Sequence, residues 1–186
     1  GQVLVEMAPE IAPGHVERIR LLASRGFYDN LAWHRVIDWF MAQTGDPQGT
    51  GQGGSELPDL KAEFSFRRGR DAGFVAVPSV GAGVRGLVGD LPVQTQPDAQ
   101  MMVTADFKVT AGGLFCTGVL GMARAGSPDS ANSQFFINFK DNDFLNGQYT
   151  VYGRVISGME FVDKIARGEP PANPDRIVSM KVAADA

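Results

Sequence analysis

Residues 33–47 run Trp33-His34-Arg35-Val36-Ile37-Asp38-Trp39-Phe40-Met41-Ala42-Gln43-Thr44-Gly45-Asp46-Pro47. Arg35 lies inside an otherwise apolar strand-like run, and alternation places Met41 and Gln43 on one face of the next run. A single arginine in a strand is usually a surface residue whose aliphatic stem covers apolar neighbours. Whether this arginine does more depends on what the rest of the chain places beside it.

A second informative stretch is Ser133-Gln134-Phe135-Phe136-Ile137-Asn138-Phe139. Strand alternation divides it into two faces, one with Phe135, Ile137 and Phe139 and the other with Gln134, Phe136 and Asn138. The first face is purely apolar and predicts core. The second sets an aromatic ring between two amides, which suits a surface that packs on an apolar ligand and hydrogen-bonds a peptide backbone. For this strand alone, a half-buried face under a loop is an equally good interpretation.

Composition restricts the class of protein. The chain has 186 residues, which favours one domain, and its 44% hydrophobic content argues against disorder. A net charge of −4 disfavours a surface that grips nucleic acid. The single cysteine, Cys116, excludes an internal disulfide, a cysteine-based zinc site and a CxxC redox pair. The two histidines, His15 and His34, form no metal-ligand pattern, so we expect no metal and no cofactor.

The chain contains no run of ~18–20 uninterrupted apolar residues, so we expect neither a membrane span nor a membrane partner. Its first residues lack the basic and then apolar order of a signal peptide. The sequence also begins without an initiator Met. Two compartments stay open, a periplasm after removal of a leader, or the cytoplasm, and we expect a monomer.

Turn-forming residues divide the chain into short segments. The 23 glycines and 11 prolines separate short apolar runs, which is typical of a β-barrel or sandwich. Two helices are predicted, one from Pro13 to a stop at Gly26, and one from a capping box at Ser157 to a stop at Gly168. Strands are predicted at 3–7, 32–37, 40–44, 118–123, 134–138, 151–155 and 177–182. This count favours a closed barrel with two helices.

Two features match patterns found in enzymes, but the residues around them do not support those functions. Gly49–Gly54 matches G-x-G-x-x-G, but neither a preceding strand nor a following helix accompanies it, so a structural loop is the better interpretation. His34 is the histidine that a hydrolase would have to use, yet no nucleophile motif accompanies it. A hydrolase therefore stays a disfavoured alternative.

Taken together, the motifs resemble those of the cyclophilins, the peptidyl-prolyl cis-trans isomerases. The matching segments, in order, are Glu6, Ala12-Pro13, Val16, Gly26-Phe27-Tyr28-Asp29, His34-Arg35-Val36, Phe40-Met41, Gln43, Gly45-Asp46-Pro47, Gly121-Met122-Ala123, Asn132-Ser133-Gln134-Phe135-Phe136-Ile137, Phe144-Leu145-Asn146-Gly147 and Val151-Tyr152-Gly153-Arg154-Val155. They run through nearly the whole chain. By this resemblance the fold is mainly β, a closed eight-stranded antiparallel barrel capped by two α-helices.

The resemblance also implies a role for each site residue. Arg35 takes the place of the family's catalytic arginine, and a pocket for the substrate proline is formed by Phe40, Met41, Phe136 and Leu145. Gln43 and Gln134 stand at the positions of groove amides. The strand whose backbone pairs with the substrate peptide is matched by Ala123, Arg124 and Ala125. Phe144 and Tyr149 complete the substrate-binding set at the rim.

Three of these positions depart from the eukaryotic pattern. Arg124 replaces a common asparagine, Phe144 a frequent tryptophan and Tyr149 a frequent histidine. These changes resemble the bacterial type of the family. Because a phenyl ring cannot donate the hydrogen bond that an indole donates, we expect weak inhibition by cyclosporin-type cyclic peptides. The chain is also longer than a minimal cyclophilin, and we expect an insertion at about 70–113 that is peripheral to the site.

The implied activity is acceleration of X-Pro bond rotation in peptides and in unfolded or folding proteins. The alternative is a peptide-binding or chaperone module of the same fold with weak or no catalysis. The joint presence of Arg35, Phe40, Gln43 and Phe136 favours the enzyme.

Overall fold

The computed structural model describes residues 1–79, 81 and 83–183. Short antiparallel strands form most of its regular structure. They are β1 (Leu4–Met7), β2 (Arg35–Ile37), β3 (Met41–Thr44), β4 (Phe66–Arg68), β5 (Val75–Ala76), β6 (Val84–Val88), β7 (Leu91–Thr95), β8 (Val109–Gly113), β9 (Val119–Met122), β10 (Phe135–Asn138) and β11 (Val151–Ser157). The predicted mainly β class is confirmed.

The strands are arranged in two sheets. Six strands follow the spatial order β1-β11-β9-β10-β3-β2, and five follow β4-β8-β7-β6-β5. The strand ladders of the described residues leave the two sheets separate. In the first sheet, β3 lies between β2 and β10, so the two stretches singled out in the sequence are neighbours.

Helix α1 (Pro13–Ser24) begins and ends close to its predicted limits. Pro13 occupies its first position, where the missing N–H costs nothing. Short 3₁₀ turns occur at Arg70–Ala72, Asp98–Val103 and Asp143–Leu145.

The second predicted helix is mostly wrong. Helix α2 is a single turn, Met159–Val162, and Ser157 does not cap it. Ser157 instead ends β11, paired with Leu4, and Gly158 turns the chain with a φ of 88°. A long-range strand pairing has therefore overridden the local capping pattern.

Six of the predicted strands are found, with bounds shifted by a few residues. The predicted strand at 177–182 is wrong, because its segment makes only an isolated bridge between Ala32 and Arg176. Its apolar residues Ile177, Met180 and Val182 still pack on the core that α1 covers. Burial of apolar side chains there does not require a strand ladder.

Two apolar cores flank the first sheet. One lies under α1, and includes Val16, Ile19, Leu22, Phe135 and Ile137. The other lies between the two sheets, and includes Met41, Phe136, Leu145, Val88, Leu91 and Val93. The last three residues belong to the segment at 70–113, so the prediction that this whole segment is peripheral is wrong. Its extent as an insertion stays a prediction.

Helices long and apolar enough to cross a membrane are absent from the described residues.

Candidate active site

Arg35 opens β2, which forms one edge of the six-stranded sheet. The next residue, Val36, is buried, so alternation turns the Arg35 side chain to the opposite face, where it is 42% exposed. The antiparallel register sets Arg35 opposite Gln43 of β3, and Gln43 opposite Phe136 of β10. Three of the predicted site residues thus form one row across three strands.

A chain of hydrogen bonds runs along this row. Arg35 Nη1 donates to Gln43 Oε1 at 3.4 Å, and Gln43 Nε2 donates to Gln134 Oε1 at 2.8 Å. Gln134 Nε2 in turn donates to the main-chain oxygens of Gly51 at 3.1 Å and Gly53 at 2.8 Å. Both predicted groove amides are therefore held from two sides, which fixes the acceptor oxygen that faces the guanidinium.

The glycine-rich loop at 49–54 is structural, as predicted. Its main chain folds around the carboxylate of Asp46, which accepts hydrogen bonds from the N–H groups of Gln48, Thr50, Gly51 and Gly53. Burial raises the pKa of the Asp46 carboxyl, but these hydrogen bonds outweigh burial and hold that pKa below its usual value. The same loop supplies the two carbonyls that anchor Gln134.

The four side chains predicted to hold the substrate proline lie together beside this polar row. Met41, Phe136 and Leu145 are buried in the core between the sheets, and Phe40 packs against that core half-buried. The Phe136 ring stacks on Phe115, with centroids 5.5 Å apart and ring planes at 22°. The pocket wall is therefore backed by a second aromatic ring that holds it in place.

Phe144 and Tyr149, the two residues predicted for the rim, each contact one of these four side chains. Phe144, 63% exposed, packs on Phe40 with ring centroids 5.6 Å apart. Tyr149 meets the edge of Phe136 at 5.8 Å, and its ring lies 4.7 Å from the Arg124 guanidinium. Arg124 thus covers Tyr149 by a cation–π contact.

The segment Ala123–Ala125 continues β9 past its last paired residue. The Ala123 N–H donates to the Gln134 carbonyl at 2.9 Å, and the Ala125 N–H donates to Ser130 Oγ at 3.0 Å. Both flanking N–H groups are engaged inside the protein. The segment is half-buried to exposed.

Asn138 does not join the site. It is fully buried, and its Nδ2 donates to the Phe115 carbonyl at 3.2 Å. Of the two amides on this face of the strand, only Gln134 therefore belongs to the row that contains Arg35. The sequence missed Phe115 and also Glu169, whose carboxylate lies 2.7 Å from Arg35 Nε. No local pattern marks Glu169, because it is an exposed residue far along the chain.

Two other candidate groups are His34, which lies beside Gln134 of this row, and Cys116. His34 is buried, which lowers the pKa of its imidazole, and within the described residues neither ring nitrogen has a hydrogen-bond partner. The hydrolase alternative therefore gains no support. Burial also raises the pKa of the Cys116 thiol. No cluster of three or more metal-ligating side chains is found in the described part of the chain.

The arrangement sets a fixed cation at the edge of an apolar pocket, with groove backbone alongside. A cation so placed stabilises developing negative charge or a newly available lone pair on a bound group. The four apolar side chains beside it suit an apolar group of a ligand. No covalent step is built into these residues.

Comparisons with known proteins agree with this geometry. A family model described as "Cyclophilin type peptidyl-prolyl cis-trans isomerase/CLD" matches residues 1–182. A probable peptidyl-prolyl cis-trans isomerase of Brucella suis is 38% identical over 201 residues, covering 100% of this chain and 79% of the relative. A peptidyl-prolyl cis-trans isomerase-like 1 protein of Aspergillus oryzae is 31% identical, covering 98% and 89%.

Solved structures give the same result. The crystal structure of a Hirschia baltica cyclophilin superposes with a TM-score of 0.91 at 34% identity, covering 99% of this chain and 71% of that one. A Cryptosporidium parvum cyclophilin-type isomerase, crystallised in the presence of the dipeptide Ala-Pro, shares the fold with a TM-score of 0.67 at 21% identity, covering 98% and 92%. With its fold, its ordered motifs and a family match over nearly its full length, the chain belongs to the cyclophilin-type peptidyl-prolyl cis-trans isomerases and has their isomerase activity.

Proposed function

We propose that Arg35 is the catalytic residue of this isomerase, and that Phe40, Met41, Phe136 and Leu145 hold the substrate proline. The single observation that carries the proposal is the placement of the guanidinium. It lies in one row with Gln43 and Phe136, so it borders the polar groove and the apolar pocket together. A proline ring in the pocket would present its nitrogen and the neighbouring carbonyl at that border.

The size of the barrier defines what the site must supply. Rotation about an X-Pro bond breaks amide resonance and has a barrier of ~18–20 kcal/mol. A turnover near ~10³ s⁻¹ requires a barrier of about 13 kcal/mol, so the enzyme removes roughly 6. One charge-assisted hydrogen bond contributes ~1.5–3 kcal/mol. Arg35 therefore supplies only part of the barrier reduction, and the pocket and the groove supply the rest.

Arg35 acts selectively on the rotating state. The lone pair of the prolyl nitrogen becomes available only when conjugation is lost, so a donor placed there binds the transition state better than the ground state. The pocket residues hold the ring and exclude water, which strengthens this interaction. One side of the bond stays fixed while the other turns.

The groove anchors the peptide on the other side. Gln43 and Gln134 present fixed amides, and the Ala123–Ala125 backbone pairs with the substrate. Because the N–H groups of Ala123 and Ala125 are engaged within the protein, we assign the main-chain groups of Arg124 to the peptide. Phe144 and Tyr149 shape the two ends of the rim.

Proline-containing peptides and unfolded or folding proteins are the proposed substrates. The Cryptosporidium relative, crystallised with Ala-Pro, supports a proline-containing ligand. We also propose that the protein acts as a monomer and that the reaction needs no cofactor, because rotation about an amide bond transfers no electrons, protons or groups. The shared core of the two sheets supports closure into the eight-stranded barrel.

The test is a protease-coupled proline-isomerisation assay on wild type and Arg35→Ala. We expect kcat/KM to fall at least ~10²-fold, equivalent to about 2.7 kcal/mol of lost transition-state stabilisation. Arg67→Ala is the matched control. Arg67 lies on the five-stranded sheet, is exposed to a similar extent, and is likewise paired with a carboxylate, that of Asp106. A folded Arg35→Ala protein with nearly wild-type activity would remove Arg35 from the mechanism.

A further inference from the structure

The outer edge of β2 is covered by a segment from the far end of the chain. The Val36 N–H donates to the Gly168 carbonyl at 2.8 Å, and the Gly168 N–H donates to the Val36 carbonyl at 2.9 Å. This antiparallel pair sets the register of the segment. One residue further along, Glu169 lies opposite Arg35.

The carboxylate of Glu169 then meets the guanidinium directly. Its Oε1 accepts the Nε–H of Arg35 at 2.7 Å, whereas Gln43 accepts from Nη1 on the other side. An arginine side chain has several rotatable bonds and a planar head with five N–H donors. Contacts at Nε and at Nη1 fix both the position and the plane of that head.

Glu169 is held in place independently of this ion pair. Besides the main-chain pair at Gly168, the Arg167 guanidinium lies 4.2 Å over the Phe139 ring and donates to Asp38 at 3.2 Å. The segment therefore docks on the sheet edge through three contacts that do not involve Arg35. A carboxylate on a pre-placed backbone orders its partner at a smaller entropic cost.

We propose that Glu169 is a positioning residue, which holds the Arg35 guanidinium by its Nε so that the Nη groups are presented to the substrate. The inference rests on the proposed catalytic role of Arg35. Both side chains are about half exposed, 42% for Arg35 and 54% for Glu169, so their ion pair adds little to stability. The ion pair instead controls the position of the Arg35 guanidinium, and a small displacement of a reacting group lowers the rate.

The test compares Glu169→Ala and Glu169→Gln with Asp106→Asn. Asp106 carries a similarly exposed carboxylate, paired with Arg67 and not with Arg35, so its variant controls for the loss of one negative charge and one surface ion pair. We expect Glu169→Ala to lower kcat by about 3- to 10-fold with KM nearly unchanged, since the group that moves acts in the transition state. Glu169→Gln, which keeps an acceptor oxygen for Nε, should recover most of this loss.

A double variant separates the two proposals. If Glu169 acts through Arg35, adding Glu169→Ala to Arg35→Ala should cause no further loss. Equal losses of kcat in Glu169→Ala and Asp106→Asn, or a rise in KM alone, would overturn the positioning role while leaving Arg35 catalytic. Wild-type activity of Arg35→Ala would instead overturn the catalytic assignment itself. A thermal unfolding midpoint measured for each variant confirms that folded proteins are compared.

Discussion

A single methyl group added at Gly121 should disturb both the core and the proline pocket. Gly121 lies in β9, opposite Phe136 on one side and Val151 on the other. A Cβ at this position would lie 2.5 Å from a ring carbon of Phe115 and 2.6 Å from one of Phe136. Carbon atoms in contact sit about 3.5–4.0 Å apart, so one or both rings must move by roughly 1 Å.

The loss of stability depends on how closely the rings of Phe115 and Phe136 are packed. Both are buried and stacked on each other, and overpacking of such a core costs about 1–3 kcal/mol. For a chain of this length that lowers the thermal midpoint by about 2–12 °C. Movement of Phe136 also narrows the pocket, so KM for a proline peptide should rise several-fold while Arg35, on another strand, keeps its contacts.

The measurement pairs thermal unfolding with isomerase kinetics on Gly121→Ala and on Gly14→Ala. Gly14 lies in the first turn of α1, where a Cβ would meet the Glu63 carboxylate at an ordinary 3.4 Å, and alanine favours the helix. This control should therefore keep both stability and activity. Wild-type stability and KM in Gly121→Ala would refute the idea that glycine is required there to accommodate the stacked rings.

Three further outcomes are expected. Phe144→Trp should tighten cyclosporin inhibition by about 5- to 150-fold, because the indole N–H adds one hydrogen-bond donor. A titration of isomerase activity with cyclosporin measures this, and equal inhibition of both proteins would contradict it. Burial lowers the pKa of the His15 imidazole despite the contact with Glu63, so the unfolded chain binds more protons below pH 6.5. The free energy of unfolding, measured in urea, should therefore fall from pH 7 to 5, and fall less in His15→Gln; parallel profiles would exclude His15 as the cause. Asp46→Asn should lower that free energy by ~1–3 kcal/mol, because the amide keeps only one acceptor oxygen for the loop N–H groups, and it should lower kcat, because the loop carbonyls hold Gln134 and, through Gln43, Arg35; an unchanged stability and kcat would show that the loop keeps its conformation without Asp46.

Much of the site was predictable because its signals are local. The alternation in Gln134–Asn138 correctly separates Phe135 and Ile137, which face the core under α1, from Phe136, which faces the core between the sheets, since strand geometry decides which side chains share a side. The run that contains Arg35, Met41 and Gln43 folds into two paired strands, as predicted. The matching family motifs then assign roles that periodicity cannot give.

The failures have a common physical cause, which is pairing between segments distant in sequence. Ser157 has the pattern of a helix cap, but its backbone pairs with Leu4 and so belongs to a strand. Asn138 alternates with Gln134, yet the Phe115 carbonyl captures its amide in the core. Strands β6 and β8 of the second sheet alternate in burial, but small residues such as Gly86, Ala111 and Gly113 occupy several of their buried positions, so the apolar pattern in the sequence is weak. Tertiary packing decides such cases.

The direction of the hydrogen bonds explains why the site depends on distant segments. Gln43 and Gln134 each turn their oxygen toward Arg35 and their nitrogen toward the glycine loop. Reversal of either amide would place a donor against a donor and an acceptor against an acceptor. The loop carbonyls fix one end of this row, and Glu169 fixes the other by accepting from Nε. The plane of the guanidinium is thus set by contacts on both of its sides before any substrate arrives. A loosened loop and a loosened edge segment should therefore both lower kcat through the same residue, Arg35.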